Sequence, residues 1–414
     1  MSEPAERIDS VGAPAYMGGH PAFPEGLPLA RPNIEDPDAV ADDLQKILRS
    51  GILTNGPYVR DLERKTADYL GVRHCVAVSS CTAGLMLALR AMGLSGDVVV
   101  PSFTFSATAH AVAWNGLRPV FADVDRETLT LSPDAAHHAL GVRAAAIVGT
   151  HTFGTPCDVE ALSQIARRNG LRLLFDAAHA FGSKRGTECV GGFGDAEVFS
   201  LSPTKPLIAG EGGLIATNDD VLAERCRIGK DYGNPGDYDC RFVGLNARMS
   251  EIHAAIASES LNGIEDRIVE RNELAGRYRH LLGDIPGVSF PTTRDGDRST
   301  YKDFTVLVDS EAFGMDAGRL AGALEAEGID VRRYYAPPVH VQKAYRRAAR
   351  SNGHLPVTDW AAARVVTLPL WGGMTETQQA GVAVALHRIH AAAQLGRVAE
   401  KIPLPADEAG PAPL

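Results

Sequence analysis

A lysine that directly follows an apolar segment is the residue whose surroundings most favour chemistry. Lys205 stands in FSLSPTKPLIAGEGG, after an apolar run and before a cluster of glycines. A lysine at a strand end, beside glycines that allow close backbone approach, can enter a cleft and lose its solvation. Desolvation lowers the pKa of the amine and makes it a competent Schiff-base nucleophile. The alternative is an ordinary lysine in a surface loop.

An aspartate ends another apolar segment. Asp176 follows LRLLF, which predicts a carboxylate at the carboxyl end of a buried strand, where ligands bind in α/β sheets. A partly desolvated carboxylate needs a cationic partner, so a ligand cation is one interpretation. A helix N-cap or a structural ion pair would explain the same residue equally well.

A third signal is the start of a helix. Ser79 to Thr82 precede the helical pattern AGLMLALRAMG. The free N–H groups at a helix start, its dipole and the hydroxyls together favour an anion, although ordinary N-capping explains these residues too. In combination, the three signals match what pyridoxal phosphate (PLP) requires: a helix N-terminus for the phosphate, a carboxylate for the pyridine nitrogen and a lysine for the aldehyde.

Alternating strands and helices position these residues. Helical patterns separate several short apolar runs, which predicts an α/β domain around a mostly parallel sheet. The seven runs are CVAV (75–78), DVVVP (97–101), RPVFADV (118–124), AAAIVG (144–149), LRLLFD (171–176), AEVFSL (196–201) and GGLIAT (212–217).

The pattern of apolar residues changes near residue 250. One long helical pattern covers 250–283, and the extended pieces YKDFTVLVD and IDVRRYY flank a further helix, DAGRLAGALEAEG. We therefore expect four parts. They are a flexible arm (1–30), a large PLP-binding α/β domain (31–250), a smaller α+β domain (251–398) and a disordered tail (399–414).

Composition excludes several classes of protein. The 414 residues are 45% hydrophobic and carry a net charge of −10, so neither a nucleic acid nor a membrane surface is expected as a partner. Six cysteines show no C-x-x-C pair, which argues against a zinc site or any other metal site and favours a soluble cytoplasmic protein. No G-x-G-x-x-G follows the first strand, so a nicotinamide dehydrogenase is disfavoured.

Six motifs in order resemble the DegT/DnrJ/StrS family of sugar aminotransferases, which are PLP enzymes of fold type I. They are VSSCTAGLMLAL, VPSFTFSATAHAV, DAAHAFG, FSLSPTKPLIAGEGG, GLNARMSEIHAAI and YYAPPVH. The resemblance covers about residues 31–393. It implies a large domain with a mostly parallel seven-stranded sheet and a smaller C-terminal α+β domain.

The resemblance also implies site residues. Lys205 would form the Schiff base and shuttle protons, Asp176 would pair with the pyridine nitrogen, and His179 would lie beside the phenolic oxygen. The remaining cofactor contacts would be Phe105, stacked on the ring, and, around the phosphate, Ser80, the backbone at Cys81 and Thr82, Ser200, and Asn246 from the neighbouring subunit of a homodimer. Position 81 is commonly smaller in the family, so the phosphate loop departs from its pattern there.

The implied reaction moves an amino group from L-glutamate (or glutamine) to a nucleotide-linked keto-deoxysugar, in antibiotic or polysaccharide biosynthesis. Candidate substrate contacts are Arg248, Arg332, Arg333, Tyr334 and His340. A cyclitol ketone (inosose) as acceptor and a non-catalytic PLP-binding regulatory protein remain alternatives. A related sugar dehydratase is disfavoured because such members lack the lysine that Lys205 supplies.

Overall fold

All seven apolar runs form strands of one sheet. The computed structural model describes residues 12–346 and 354–396. Their twelve strands are β1 (His74–Val78), β2 (Asp97–Pro101), β3 (Arg118–Ala122), β4 (Ala144–Thr150), β5 (Arg172–Asp176), β6 (Lys184–Arg185), β7 (Glu188–Cys189), β8 (Ala196–Ser200), β9 (Gly213–Thr217), β10 (Val288–Ser289), β11 (Phe304–Val308) and β12 (Val365–Leu368). The large sheet has the order β1-β9-β8-β5-β4-β2-β3, and β6 pairs with β7. In that sheet β9 runs antiparallel to the other six strands, which all run in the same direction.

Thirteen α-helices accompany these strands in the described residues. They are α1 (Pro37–Ser50), α2 (Pro57–Leu70), α3 (Cys81–Ala91), α4 (Ser106–Trp114), α5 (Pro133–His138), α6 (Val159–Arg168), α7 (Asp220–Gly229), α8 (Glu251–Asn262), α9 (Ile264–Leu282), α10 (Ser310–Phe313), α11 (Ala317–Ala326), α12 (Pro356–Arg364) and α13 (Glu376–Gln394). The helical patterns that separate the apolar runs include TAGLMLALRAMG after the first, VEALSQIARRNG after the fourth and DVLAERCRIG after the last, and these coincide with α3, α6 and α7.

Apolar residues cover both faces of the large sheet. Successive residues of β1 point to opposite sides, so Val76 and Val78 pack in a core with α3, α4 and α7. Cys75 and Ala77 pack in a second core with α2 and α8. Burial on both faces explains why these strands are continuous apolar runs rather than alternating ones. This architecture confirms the predicted α/β class with a mostly parallel seven-stranded sheet.

A smaller antiparallel sheet follows. Strands β10, β11 and β12 are adjacent in that order, and β11 packs with α9, α11 and α13 in a separate core. The helical pattern over 250–283 is divided at Gly263 into α8 and α9. The piece predicted as a strand over 329–335 forms no strand of the sheet and makes only isolated bridges, from Ile329 to Leu27 and from Arg332 to Thr367 in the edge strand β12.

The large core continues past residue 250. The Glu251 carboxylate at the start of α8 accepts hydrogen bonds from the backbone N–H groups of Gly56, Tyr58 and Val59, at 2.8, 2.8 and 3.0 Å. Helix α8 therefore packs with the large sheet. The domain limits at 31–250 and 251–398 stay predictions.

The described part of the predicted N-terminal arm lies against the C-terminal core. Leu27 is buried there, and the backbone N–H of Phe23 donates to the Glu327 carbonyl at 2.9 Å. Residues 12–30 are thus docked, because an apolar side chain and backbone bonds hold them. Residues 1–11 and the predicted tail, 399–414, lie outside the described residues. Within the described residues, no helix has the length and apolar character needed to span a membrane.

Candidate active site

A cleft of about 300 Å³ opens at the carboxyl ends of β5 and β8, beside the start of α3. We call it the active-site cleft. It is lined by nine residues singled out from the sequence: Ser80, Cys81, Thr82, Phe105, Asp176, His179, Ser200, Lys205 and Tyr334. The structure therefore brings together residues from five separate segments of the chain. Their individual roles stay predictions.

Asp176 is the last residue of β5, and its carboxylate is buried. Thr108 Oγ1 donates to Asp176 Oδ2 at 2.7 Å, and the Ala178 N–H donates to Oδ1 at 3.1 Å. Burial raises the pKa of Asp176, while these two hydrogen bonds and the charge of Lys205 oppose the increase. Within the described residues, Asp176 forms no ion pair. A buried carboxylate at a cleft with neutral donors alone is suited to a cationic ligand atom.

Lys205 lies in the loop between β8 and β9, where its N–H donates to the Ser202 carbonyl at 3.0 Å. Its side chain lines the active-site cleft. The pKa of Lys205 is lowered to about 8, mainly by burial and secondly by the charge of Lys302. Asp303, Cys81 and Asp176 act in the opposite direction and raise it. The amine is therefore partly neutral near neutral pH and can attack an aldehyde.

The start of α3 forms one end of the cleft. Ser80 is the N-cap and accepts a hydrogen bond from the Ala83 N–H at 3.1 Å, which leaves the N–H groups of Cys81 and Thr82 in the unpaired first turn of the helix. Gly213 lies so close that a Cβ atom there would meet the Cys81 nitrogen at 2.7 Å. With the Ser200 hydroxyl on the same lining, this end has the donor set of a phosphate site.

An exposed aromatic ring and a neutral histidine complete the cleft. Phe105 is 59% exposed, unusual for a phenylalanine, so its ring is available to a flat ligand. Burial, with the charges of Lys205 and Lys302, lowers the pKa of His179 well below its usual value. His179 Nδ1 lies 3.8 Å from Asp303 Oδ2, and neither atom has a hydrogen-bond partner within the described residues.

Other predicted residues lie outside this chain's own cleft. Asn246 is exposed, and Arg248 pairs with Asp231 and lies over the Tyr232 ring. His340 is bonded to Ser102 Oγ at 2.6 Å and lies 3.2 Å from Asp359.

The two further candidate arginines also have partners within the protein. Arg332 pairs with Asp330, and Arg333 donates to the Ala362 carbonyl at 2.9 Å. The Arg332 side chain is thus engaged locally and that of Arg333 contacts α12. Their predicted role as substrate contacts stays a prediction.

Several cleft residues were not singled out from the sequence: Ala107, Ala178, Ser202, Thr204, Glu211, Gly212, Lys302 and Tyr335. Thr108 and Asp303 lie just behind the lining and were also missed. For Lys302 and Asp303, a signal was present, because two adjacent charges immediately precede the buried strand FTVLV. Charged residues at a strand entrance are usually solvated, so this signal alone is weak.

The fold and the site define a class of protein. A buried carboxylate, a desolvated lysine, an exposed aromatic ring and a helix start fit the ring nitrogen, aldehyde, ring face and phosphate of PLP, respectively. On a seven-stranded sheet of this topology, they define a PLP-dependent enzyme of fold type I. The profile of the DegT/DnrJ/EryC1/StrS aminotransferase family matches residues 35–387, and the chain belongs to this family.

Comparisons with individual known proteins support the same family. The chain is 33% identical to the spore coat polysaccharide biosynthesis protein SpsC of Bacillus subtilis (strain 168), over 81% of this chain and 90% of SpsC. It is 34% identical to a pleiotropic regulatory protein of Geobacillus stearothermophilus, again over 81% and 90%. The crystal structure of DesI in the presence of its TDP-sugar product superposes with a TM-score of 0.87 at 37% identity, covering 92% of this chain and 97% of DesI.

These matches confirm the predicted family of sugar aminotransferases and the predicted cofactor. The protein is a PLP-dependent aminotransferase.

Proposed function

We propose that this aminotransferase moves the amino group of L-glutamate, or of glutamine, to the keto group of a nucleotide-linked deoxysugar. One observation carries the proposal: Lys205, with its lowered pKa, shares a cleft with Asp176, a buried carboxylate without an ion-pair partner in the described residues. The nucleotide sugar is supported by the similarity to DesI, whose structure was determined with its TDP-sugar product.

The chemistry divides between cofactor and protein. When bound, PLP supplies an aldehyde for amines and a ring that accepts electrons. Asp176 supplies the negative charge that keeps the pyridine nitrogen protonated. Lys205 holds the cofactor between turnovers, and its freed amine accepts the proton from the α-carbon of the amino donor. The same amine returns a proton when the keto substrate is aminated, so one base serves both half-reactions.

The other residues of the active-site cleft orient the cofactor. Ser80, the backbone at Cys81 and Thr82, and Ser200 are the proposed phosphate contacts, since a helix start and hydroxyls favour that anion. Phe105 would pack on the ring face of PLP, and neutral His179 would donate a hydrogen bond to its phenolic oxygen.

We further propose a homodimer with shared active sites, in which Asn246 reaches the phosphate of the neighbouring subunit. Asn246 is exposed and lies outside its own cleft. Nearby, Trp114 and Val243 are 76% and 73% exposed and line a groove with Met86. Exposed apolar side chains grouped next to Asn246 support a subunit interface.

Subunit mixing tests the shared site. Lys205→Ala and Asn246→Ala subunits are each expected to be weakly active alone. A heterodimer of the two would contain one intact site, so coexpression should restore roughly a quarter of wild-type activity. A monomer in solution, or no recovery on coexpression, would contradict the shared site.

Two classes of keto acceptor are candidates. Nucleotide-linked keto-deoxysugars are the primary candidates, and an inosose is the alternative. The proposed pathway is polysaccharide or antibiotic sugar biosynthesis, and the similarity to SpsC, a spore coat polysaccharide biosynthesis protein, supports the former. None of the six cysteines forms a disulfide, which supports a location of this enzyme in the reducing cytoplasm.

Absorbance spectroscopy tests the proposed function. Protein purified with PLP should show a visible band that requires Lys205, that L-glutamate or glutamine bleaches, and that the correct keto acceptor restores. Lys205→Ala is the matched control for the band. A panel of nucleotide keto sugars and inososes then identifies the acceptor class. A lysine-dependent band that no amino donor bleaches would contradict the proposed reaction and favour a regulatory PLP-binding protein.

A further inference from the structure

A second buried lysine lines the active-site cleft. Lys302 precedes β11, and its side chain is 5% exposed. Among the described residues that line the cleft, it and Lys205 are the cationic side chains. Taking an ammonium group out of water is costly, so a buried lysine at a ligand cleft needs a reason.

The ion pair between Lys302 and Asp303 is oriented relative to the cleft. Lys302 Nζ donates to Asp303 Oδ1 at 2.7 Å, and Asp303 is also buried. Lys302 lines the cleft, whereas Asp303 does not. The pair therefore presents its positive end to the cleft, while the carboxylate compensates the charge from behind. Of the three ammonium protons, one is used by Asp303, and others remain for a ligand.

The backbone around this pair is held rigidly. Arg271 is buried and donates to the carbonyls of Tyr301 and Lys302, at 2.7 and 2.8 Å. The Lys302 N–H donates to the Phe153 carbonyl at 3.0 Å. Thr300 Oγ1 donates to the His179 carbonyl at 2.5 Å, which links this segment to the cofactor side of the cleft. A ligand group would thus find Lys302 already in position.

Proximity to Lys205 limits which ligand atom can reach Lys302. The two lysines are close enough for Lys302 to lower the pKa of Lys205, second only to burial as the cause. An amino donor must place its nitrogen where the Lys205 amine was bonded. Its α-carboxylate is attached to the same carbon as that nitrogen, so it lies near by necessity. The diphosphate of a nucleotide sugar is separated from the keto carbon by the sugar ring and lies farther away.

We propose that Lys302 binds the α-carboxylate of the amino donor and that Asp303 positions it for this contact. This inference rests on the proposed aminotransferase function and names the donor class, an α-amino acid. Lys302 would supply the cation for the donor carboxylate in a cleft whose described lining contains no arginine.

Half-reaction titrations test the proposal. In Lys302→Met, the L-glutamate concentration that half-bleaches the visible band should rise about tenfold to a hundredfold, as expected when a charge-assisted hydrogen bond is lost. Lys302→Arg should recover most of this loss. Lys343→Met, an exposed lysine outside the cleft, is the matched control and should behave as wild type. Retention of the Lys205-dependent band shows that each variant is folded.

The acceptor half-reaction separates the two substrates. Loading the protein directly with pyridoxamine phosphate bypasses the donor. Each protein is compared at a pH above the midpoint of its own Lys205, where that amine is neutral, and Lys302→Met should then aminate the keto acceptor within about threefold of the wild-type rate. Calorimetric titration with glutarate, a dicarboxylate without an amine, should show weaker binding to Lys302→Met than to wild type.

The outcomes are distinct. If wild type is bleached by glutamate and Lys302→Met requires the same concentration, the inference fails while the proposed function stands. Equal losses in both half-reactions would also overturn it, because they would assign Lys302 to the cofactor or the acceptor. If neither glutamate nor glutamine bleaches the wild-type band, the proposed function fails, and the inference fails with it.

Discussion

Thr108 Oγ1 donates a 2.7 Å hydrogen bond to Asp176 Oδ2 at the bottom of the active-site cleft. Thr108 is itself 2.9 Å from Thr104 Oγ1, which is 3.2 Å from Thr150 Oγ1, so a series of buried hydroxyls supports the carboxylate. Neutral donors fix the orientation of Asp176 without cancelling its charge. The charge is thus kept for the cofactor, and this division leads to the first two predictions.

Asp176→Asn should preserve the shape of the site and remove its negative charge. We expect the visible, Lys205-dependent band to persist, because the lysine is unchanged. Bleaching of that band by glutamate should slow by about a hundredfold to a thousandfold, the usual cost of removing one preorganised electrostatic contact. Single-turnover absorbance measures the rate, and an Asp176→Asn rate equal to wild type would contradict the assigned role.

Thr108→Val should act through Asp176. The Thr108 hydrogen bond opposes the increase in the pKa of Asp176, so its loss should raise that pKa further. Because activity requires ionised Asp176, the acid side of the pH–rate profile should move to higher pH. Thr108→Ser keeps a hydroxyl and should restore the wild-type profile. A loss of rate that is equal at every pH would indicate a packing defect instead.

Capture of PLP by the apoprotein should depend on the pKa of Lys205, which burial lowers to about 8. Only the neutral amine attacks the aldehyde, so the capture rate should rise with pH through about 8 and then level off. In Lys302→Met, a repelling charge is removed, the Lys205 pKa rises, and the midpoint should move to higher pH. Stopped-flow absorbance across pH measures both midpoints. An unshifted midpoint would mean that the Lys302 charge does not reach Lys205.

Gly213→Ala should weaken cofactor binding at the phosphate end. The added Cβ would meet the Cys81 nitrogen at 2.7 Å, so either β9 or the start of α3 must move. We expect the Kd for PLP to rise about tenfold or more, because the N–H groups at the helix start lose their alignment. Gly276→Ala is the control: it lies within α9 with open space around it and should bind PLP normally. Fluorescence titration of the apoproteins with PLP measures both.

Much of this molecule follows from the sequence because its determinants are local. Continuous apolar runs identified all seven strands of the large sheet, since strands buried on both faces have no polar side. Asp176 and Lys205 were found because both stand at strand ends, where an α/β sheet binds its ligands. Local pattern was less informative at Gly263, where one predicted helix is two, and over 329–335, where the predicted strand makes only isolated bridges.

Tertiary structure alone decided which distant residues meet at the cleft. Thr108 hydrogen-bonds to Asp176, and Lys302 lies near Lys205, because separate segments of the chain pack together. No spacing in the sequence predicts those contacts. The sequence also did not show that Lys302, rather than Asp303, faces the cleft. The same two charges would be ordinary surface residues if the strand that follows them lay elsewhere in the fold. Sequence periodicity specifies which face of an element is buried, whereas the partners of a charged side chain depend on long-range packing that periodicity does not describe.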